Sequence, residues 1–155
     1  MDQPMQNSDR LDLGAISTYK AGVLQSQAHR KLKKAMADFL KPHNLTMMEW
    51  FTLGLIKDAG EHGIRMSDLS NELQTTLPYT TNLINHLSSK GFVSRRADES
   101  DSRSKLLTLT PNVSDTCDKI EISLRENMRK LIYSNISPDD LSTYIKVLYK
   151  IAEES

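Results

Sequence analysis

From Leu13 onward, apolar side chains at Ile16, Tyr19, Val23, Leu24, Ala28, Leu32, Ala35, Met36 and Phe39 recur every three or four residues, the spacing of one helical face. The stripe predicts a long amphipathic helix from Leu13 to Lys41, stopped by Pro42, because proline disfavours helical backbone before it. Thr46, with Glu49 three residues on, predicts a capping box and a helix over 47–58 that buries some of Met48, Phe51, Leu55 and Ile56. Ile64-Arg65-Met66 reads as a strand stub, and Ser67 as the cap of a short helix with Leu69 and Leu73 inward.

Thr75 or Thr76 caps the next helix, Pro78 falls in its first turn and Gly91 ends it. Thr80, Leu83, Ile84 and Leu87 form its inner face, which turns Pro78, Thr81, Asn82, Asn85 and Ser89 outward. After Gly91 the period changes. Phe92 to Arg96 reads as a strand, Ala97 to Ser104 as a polar tip, and Lys105 to Leu109 as the return strand, with Thr110-Pro111 opening another helix. Val113, Cys117, Ile120, Leu124, Met128 and Leu131 stripe that helix. Ser137-Pro138 starts a last one bearing Leu141, Tyr144, Ile145 and Leu148, with Asp139 and Asp140 near its positive end. These terminal stripes suit each other and a partner copy.

The fold class expected is mainly α with a small β-hairpin. A chain of 155 residues is long enough for a real core. One cysteine, Cys117, rules out an intrachain disulfide framework and a Cys-rich metal site, and its place on an apolar stripe predicts an unreactive thiol. The four histidines, His29, His43, His62 and His86, are scattered, and no nucleophilic triad or phosphate loop stands out. No metal, cofactor or enzymatic activity is therefore expected. The sequence offers neither a signal-peptide pattern nor a long apolar run, so a soluble cytoplasmic protein without membrane contact is expected.

Lys plus Arg equals Asp plus Glu at 20 each, so placement of charge matters more than its total. Residues 20–41 carry Lys20, Arg30, Lys31, Lys33, Lys34 and Lys41 against Asp38, and residues 90–105 carry Lys90, Arg95, Arg96, Arg103 and Lys105 against Asp98, Glu99 and Asp101. The helix near 67–73 and that near 77–89 have the size and order of a helix-turn-helix. Thr81, Asn82 and Asn85 suit base edges in a major groove, with Tyr79 and Thr76 nearer the backbone. Beside them the hairpin forms a wing that carries Arg103 toward a minor groove, with Asp101 holding its guanidinium. Lys90, Arg95, Arg96 and Lys105 then meet phosphates, while Asp98 and Glu99 must point away.

These motifs resemble the multiple-antibiotic-resistance regulator (MarR) family of winged-helix regulators over about residues 13–153. The resemblance rests on Leu45-Thr46 before the Trp50-bearing helix, Met66-Ser67-Asp68-Leu69, and Thr81, Leu83, Ile84 and Leu87 leading into Lys90-Gly91-Phe92-Val93. Its most specific part is Asp101-Ser102-Arg103 followed by Lys105 to Thr110. It implies a tail over 1–12, an N-terminal dimerisation helix over 13–44, a winged helix-turn-helix domain over 45–110 and C-terminal dimerisation helices over 111–155. The dimer contacts implied include Leu13, Ile16, Leu124, Met128, Leu141, Tyr144 and Leu148.

The function implied is that of a homodimeric regulator of transcription, a repressor released by a small molecule, on a pseudo-palindromic DNA operator. Pro78 joins Thr81, Asn82 and Asn85 among the implied major-groove contacts. The family often has arginine in place of Asn82 and serine in place of Pro78, which shifts weight toward DNA shape. An aromatic or phenolic effector would sit near Tyr19, His29, His43, Met47, Trp50 and Arg65. The competing reading is a protein-interaction module on a winged scaffold without specific DNA binding, motivated by zero net charge, the acidic hairpin tip and Asn82.

Overall fold

A computed structural model describes residues 12–153, so all but Asp12 of the expected tail lies outside the described residues. The chain falls into two compact units, residues 1–34 and 35–155. In the first unit, Leu13–Ala15 forms a separate 3-10 turn, and the helix α1 (Thr18–Leu40) begins after it rather than at Leu13. Local hydrogen bonds explain the break. Asp12 Oδ1 accepts the Gly14 amide at 3.0 Å, and Ser17 Oγ accepts the Lys20 amide at 3.3 Å, so Ser17 restarts the chain as a helix cap. Tyr19, Val23 and Leu24 on this part of α1 are exposed.

The second unit takes in the end of α1, where Leu40 is fully buried. A 3-10 turn, Lys41–His43, holds Pro42 and ends at Asn44, whose φ is +57°. There follow α2 (Met47–Asp58), a 3-10 turn (Gly60–His62), β1 (Ile64–Arg65) and α3 (Met66–Glu72). After these come α4 (Leu77–Ser89), β2 (Val93–Asp98), β3 (Asp101–Leu109), α5 (Val113–Leu131) and α6 (Pro138–Glu153). Ser67 lies inside α3, and Arg65 takes the cap position expected for it. Helix α5 starts at Val113, two residues beyond Pro111: Thr110 still donates its amide to Phe92 on the sheet side, and Asn112 turns the chain with φ +73°.

The strand stub and the hairpin form one antiparallel sheet in the order β1-β3-β2. Ile64 faces Leu107, and Val93 faces Leu109. At Gly63 φ is +76° and ψ is 176°, backbone open in practice to glycine alone. A Cβ there would stand 2.9 Å from the Leu107 carbonyl oxygen, so this glycine lets β1 close onto β3.

Leu40, Leu53, Ile56, Leu69, Ile84, Leu87 and Leu107 make the centre of the core. Helix α2 presents Glu49, Thr52, Leu53 and Ile56 to it, whereas Phe51, expected inward, is exposed. The inward face is set by a carboxylate. Thr46 Oγ1 accepts the Glu49 amide at 3.1 Å, and Glu49 Oε2 accepts the Thr46 amide at 2.9 Å, closing the capping box. The same carboxylate receives Lys90 Nζ at 3.0 Å and His86 Nδ1 at 2.7 Å. Lys90 Nζ also donates to the Asn44 carbonyl at 2.6 Å. Glu49 therefore joins the start of α2, the preceding loop and the end of α4. Burial alone would raise its carboxyl pKa, but the Thr46 amide, Lys90 and His86 together hold it below the usual glutamate range.

Two outcomes are expected. Gly63→Ala should lower stability by about 2 kcal/mol, or about 4–8 °C in Tm, measured by thermal melting. Because folding depresses the Glu49 carboxyl, its contribution is complete above the unfolded glutamate value of about 4.3 and is lost as pH falls through a lower folded value. Denaturant titrations of Glu49→Gln should show a loss of about 1–3 kcal/mol at pH 7 that shrinks toward pH 3.

Candidate nucleic-acid interface

Helix α4 is built so that one face is buried and the other is exposed. Thr76 Oγ1 accepts the Tyr79 amide at 3.3 Å as the cap, Pro78 sits in the first turn, and Gly91 ends the helix at φ +79°. Thr80, Ile84 and Leu87 are buried. Pro78, Asn82 and Asn85 are exposed, as are Tyr79 and Thr76, and Thr81 is half-buried. The faces follow the predicted periodicity. The Thr81 hydroxyl donates to the Leu77 carbonyl at 2.9 Å.

The wing is longer in strand and tighter in turn than its composition suggests. Instead of an eight-residue tip, β2 and β3 are joined through Glu99 and Ser100, with a register shift between Ala97 and Asp98. Asp98 makes this turn without glycine or proline: its Oδ1 accepts the Ser100 amide at 3.0 Å and the Ser100 hydroxyl at 2.7 Å. Its Oδ2 accepts Arg65 Nε at 2.7 Å. The Ser100 hydrogen bonds and Arg65 hold the Asp98 carboxyl below the usual range against its burial. Asp98 thus points inward and neutralised, while Glu99 stays exposed.

Asp101 does not grip the Arg103 guanidinium as expected. Its Oδ1 accepts the Arg103 backbone amide at 3.0 Å and its Oδ2 the Ser104 hydroxyl at 3.0 Å, because a carboxylate two residues before an amide is placed to close an Asx turn. Arg103 and Lys105 are exposed. With Arg65 and Arg95 they bring four basic side chains to a cleft of about 300 Å³ that also includes Thr81 and Ser104.

Other predicted phosphate contacts have internal work. Lys90 is largely buried against Glu49, so its ammonium supports α4 rather than facing outward. Arg96 Nη2 donates to the carbonyls of Glu61 at 2.6 Å and His62 at 2.8 Å. Arg95, exposed, donates through Nη2 to Asn85 Oδ1 on α4. Sequence reasoning missed Glu49, His86 and Arg65 as framework of the interface. The one signal for the first two was His86 and Lys90 four residues apart at the end of a helix.

Of the residues assigned to an effector crevice, Arg65 belongs instead to the wing. Tyr19 and His29 are exposed on α1 in the first unit. In the second unit, His43 lies against the Phe39 ring at 5.5 Å and Met47 is half-buried. Trp50 lines a cleft of about 460 Å³ between α2 and α5 with Phe51, Leu55, Cys117 and Glu121. Burial pushes the Cys117 thiol up, as its place on an apolar stripe predicts.

The expected dimer contacts divide. Leu124 and Met128 are buried within the chain, because the α5 stripe is consumed by the core. Tyr144 and Leu148 on α6 are exposed, while Ile16 and Leu141 are half-buried; the Leu13 side chain lies outside the described residues. Among the described residues no cluster could hold a metal ion and no helix is long and apolar enough to cross a membrane.

A sequence model of the MarR family matches residues 45–105. The multiple antibiotic resistance protein MarR of Salmonella typhimurium is 25% identical over 130 residues, which cover 84% of this chain and 89% of that protein. Among solved structures, a mutant MarR from E. coli complexed with operator DNA is similar at a TM-score of 0.74 and 23% identity, covering 88% of this chain and 99% of that chain. A MarR-family transcriptional regulator from Rhodococcus sp. RHA1 has a TM-score of 0.81 at 18% identity, over 91% of this chain and 98% of that chain. Over residues 45–105 the chain thus matches the MarR family model, and its fold is similar to that of these MarR-family structures.

Proposed function

We propose that the chain acts as a homodimeric, sequence-specific DNA-binding regulator in the cytoplasm, a repressor released by a small molecule, rather than as an enzyme. The observation that carries this reading is the charge arrangement of the wing. In a chain of zero net charge, Arg65, Arg95, Arg103 and Lys105 share one cleft beside the outer face of α4, while Asp98 is turned inward and paired. The surface left beside the recognition helix suits a polyanion. Support comes from the E. coli MarR and S. aureus MepR structures that contain DNA.

Helix α4 enters a major groove with Thr81, Asn82 and Asn85 toward base edges, and Arg103 reaches an adjacent minor groove. Arg95 and Lys105 meet phosphates. Residues 13–44 and 111–155 join two copies, with Tyr144 and Leu148 supplying apolar surface that this chain leaves uncovered. The Trp50 cleft takes an aromatic or phenolic effector. Such a ligand acts only through unequal affinity for the free and DNA-bound states.

Selection from a random duplex pool should enrich an inverted repeat; an unchanged pool would reject the proposal. Arg103→Ala should weaken binding to that repeat about tenfold or more, by fluorescence anisotropy, and rising salt should weaken the wild type steeply. A Tyr144→Asp, Leu148→Asp double variant should sediment as a monomer and lose operator affinity.

A further inference from the structure

The outer face of α4 carries polar groups whose hydrogen-bonding sense is already fixed by the protein. Asn85 is exposed, yet its Oδ1 accepts from Arg95 Nη2 on β2. Arginine has donors and no acceptor, so the side of the Asn85 amide that meets Arg95 must be its oxygen. The Nδ2 group then keeps two hydrogens to give. Thr81, four residues earlier and so a neighbour on the same face, is fixed in the opposite sense. Its hydroxyl hydrogen goes to the Leu77 carbonyl at 2.9 Å, leaving oxygen lone pairs to accept.

A free asparagine reads adenine by offering nitrogen and oxygen together to N6 and N7. With Arg95 held on one lone pair of its oxygen, the Asn85 amide is not free to rotate into that pairing, and its uncommitted groups are chiefly the two Nδ2 hydrogens. Guanine, whose O6 and N7 both accept in the major groove, fits a group that only donates. We infer that Arg95 locks Asn85 as a donor, so that α4 selects guanine at one position of each half-site, with Thr81 accepting from a neighbouring cytosine N4 or adenine N6. Arg95 is a positioning residue here. The inference rests on the DNA-binding reading and adds the base class that it reads.

Selection from a random duplex pool with four proteins tests it. The wild type should enrich an inverted repeat with guanine at one position that responds to Asn85. Asn85→Asp, which keeps the Arg95 contact but presents only acceptors, should lower the preference for guanine there about tenfold and favour cytosine. Arg95→Met should free the amide and admit adenine at that position, leaving the rest of the repeat unchanged. Arg95→Lys, again a pure donor, should restore guanine. A loss of folding or of general phosphate attraction would weaken every position alike and would not move one base preference. The inference fails if the wild type enriches a repeat but Asn85→Asp alters no position, or if Arg95→Met keeps the guanine. If the wild type enriches no repeat, the DNA-binding reading fails with it.

Discussion

A buried carboxylate with three sets of donors organises the module. Glu49 is almost fully excluded from solvent, which would be costly for a lone charge, and it is stable because a helix-cap amide, an ammonium and an imidazole nitrogen converge on it. Those donors come from two places far apart in sequence. The start of α2 and the end of α4 are thereby fixed to one point.

The wing repeats the principle with different groups. Asp98 closes its own turn through Ser100 and reaches Arg65 at the mouth of α3. An acid that would repel a phosphate backbone is thus spent on internal structure, and the cations around it keep a coherent surface. Zero net charge is compatible with nucleic-acid binding when anions and cations are sorted in this way. The same sorting weakens the case for a winged scaffold serving only protein contacts.

Much of this was legible from local signals. The Thr46 capping box, the Thr76 cap, the Gly91 stop and both faces of α4 depend on residues within a few positions of one another. What escaped was set by distance in the fold. On α2 the apolar spacing points to Met48, Phe51, Leu55 and Ile56; Ile56 is buried and Phe51 is not, because nothing local announces that Glu49 will meet Lys90. The tip of the wing was drawn too long because Asp98 supplies by side-chain hydrogen bonding what a glycine usually supplies by backbone freedom. Arg65 was placed near Trp50 on family grounds, whereas its partner lies 33 residues on. Leu124 and Met128 show the limit of stripe reading: periodicity reports that a face is covered, without saying by which chain.

The Arg65 tether carries one more implication. Arg65 belongs at once to β1, to the cap position of α3 and to the ion pair with Asp98. The arm and the helix pair therefore cannot flex independently without breaking a charged contact and a strand pairing together. A load on the hairpin is therefore passed to the start of α3 through one ion pair and one strand edge instead of being absorbed at its base.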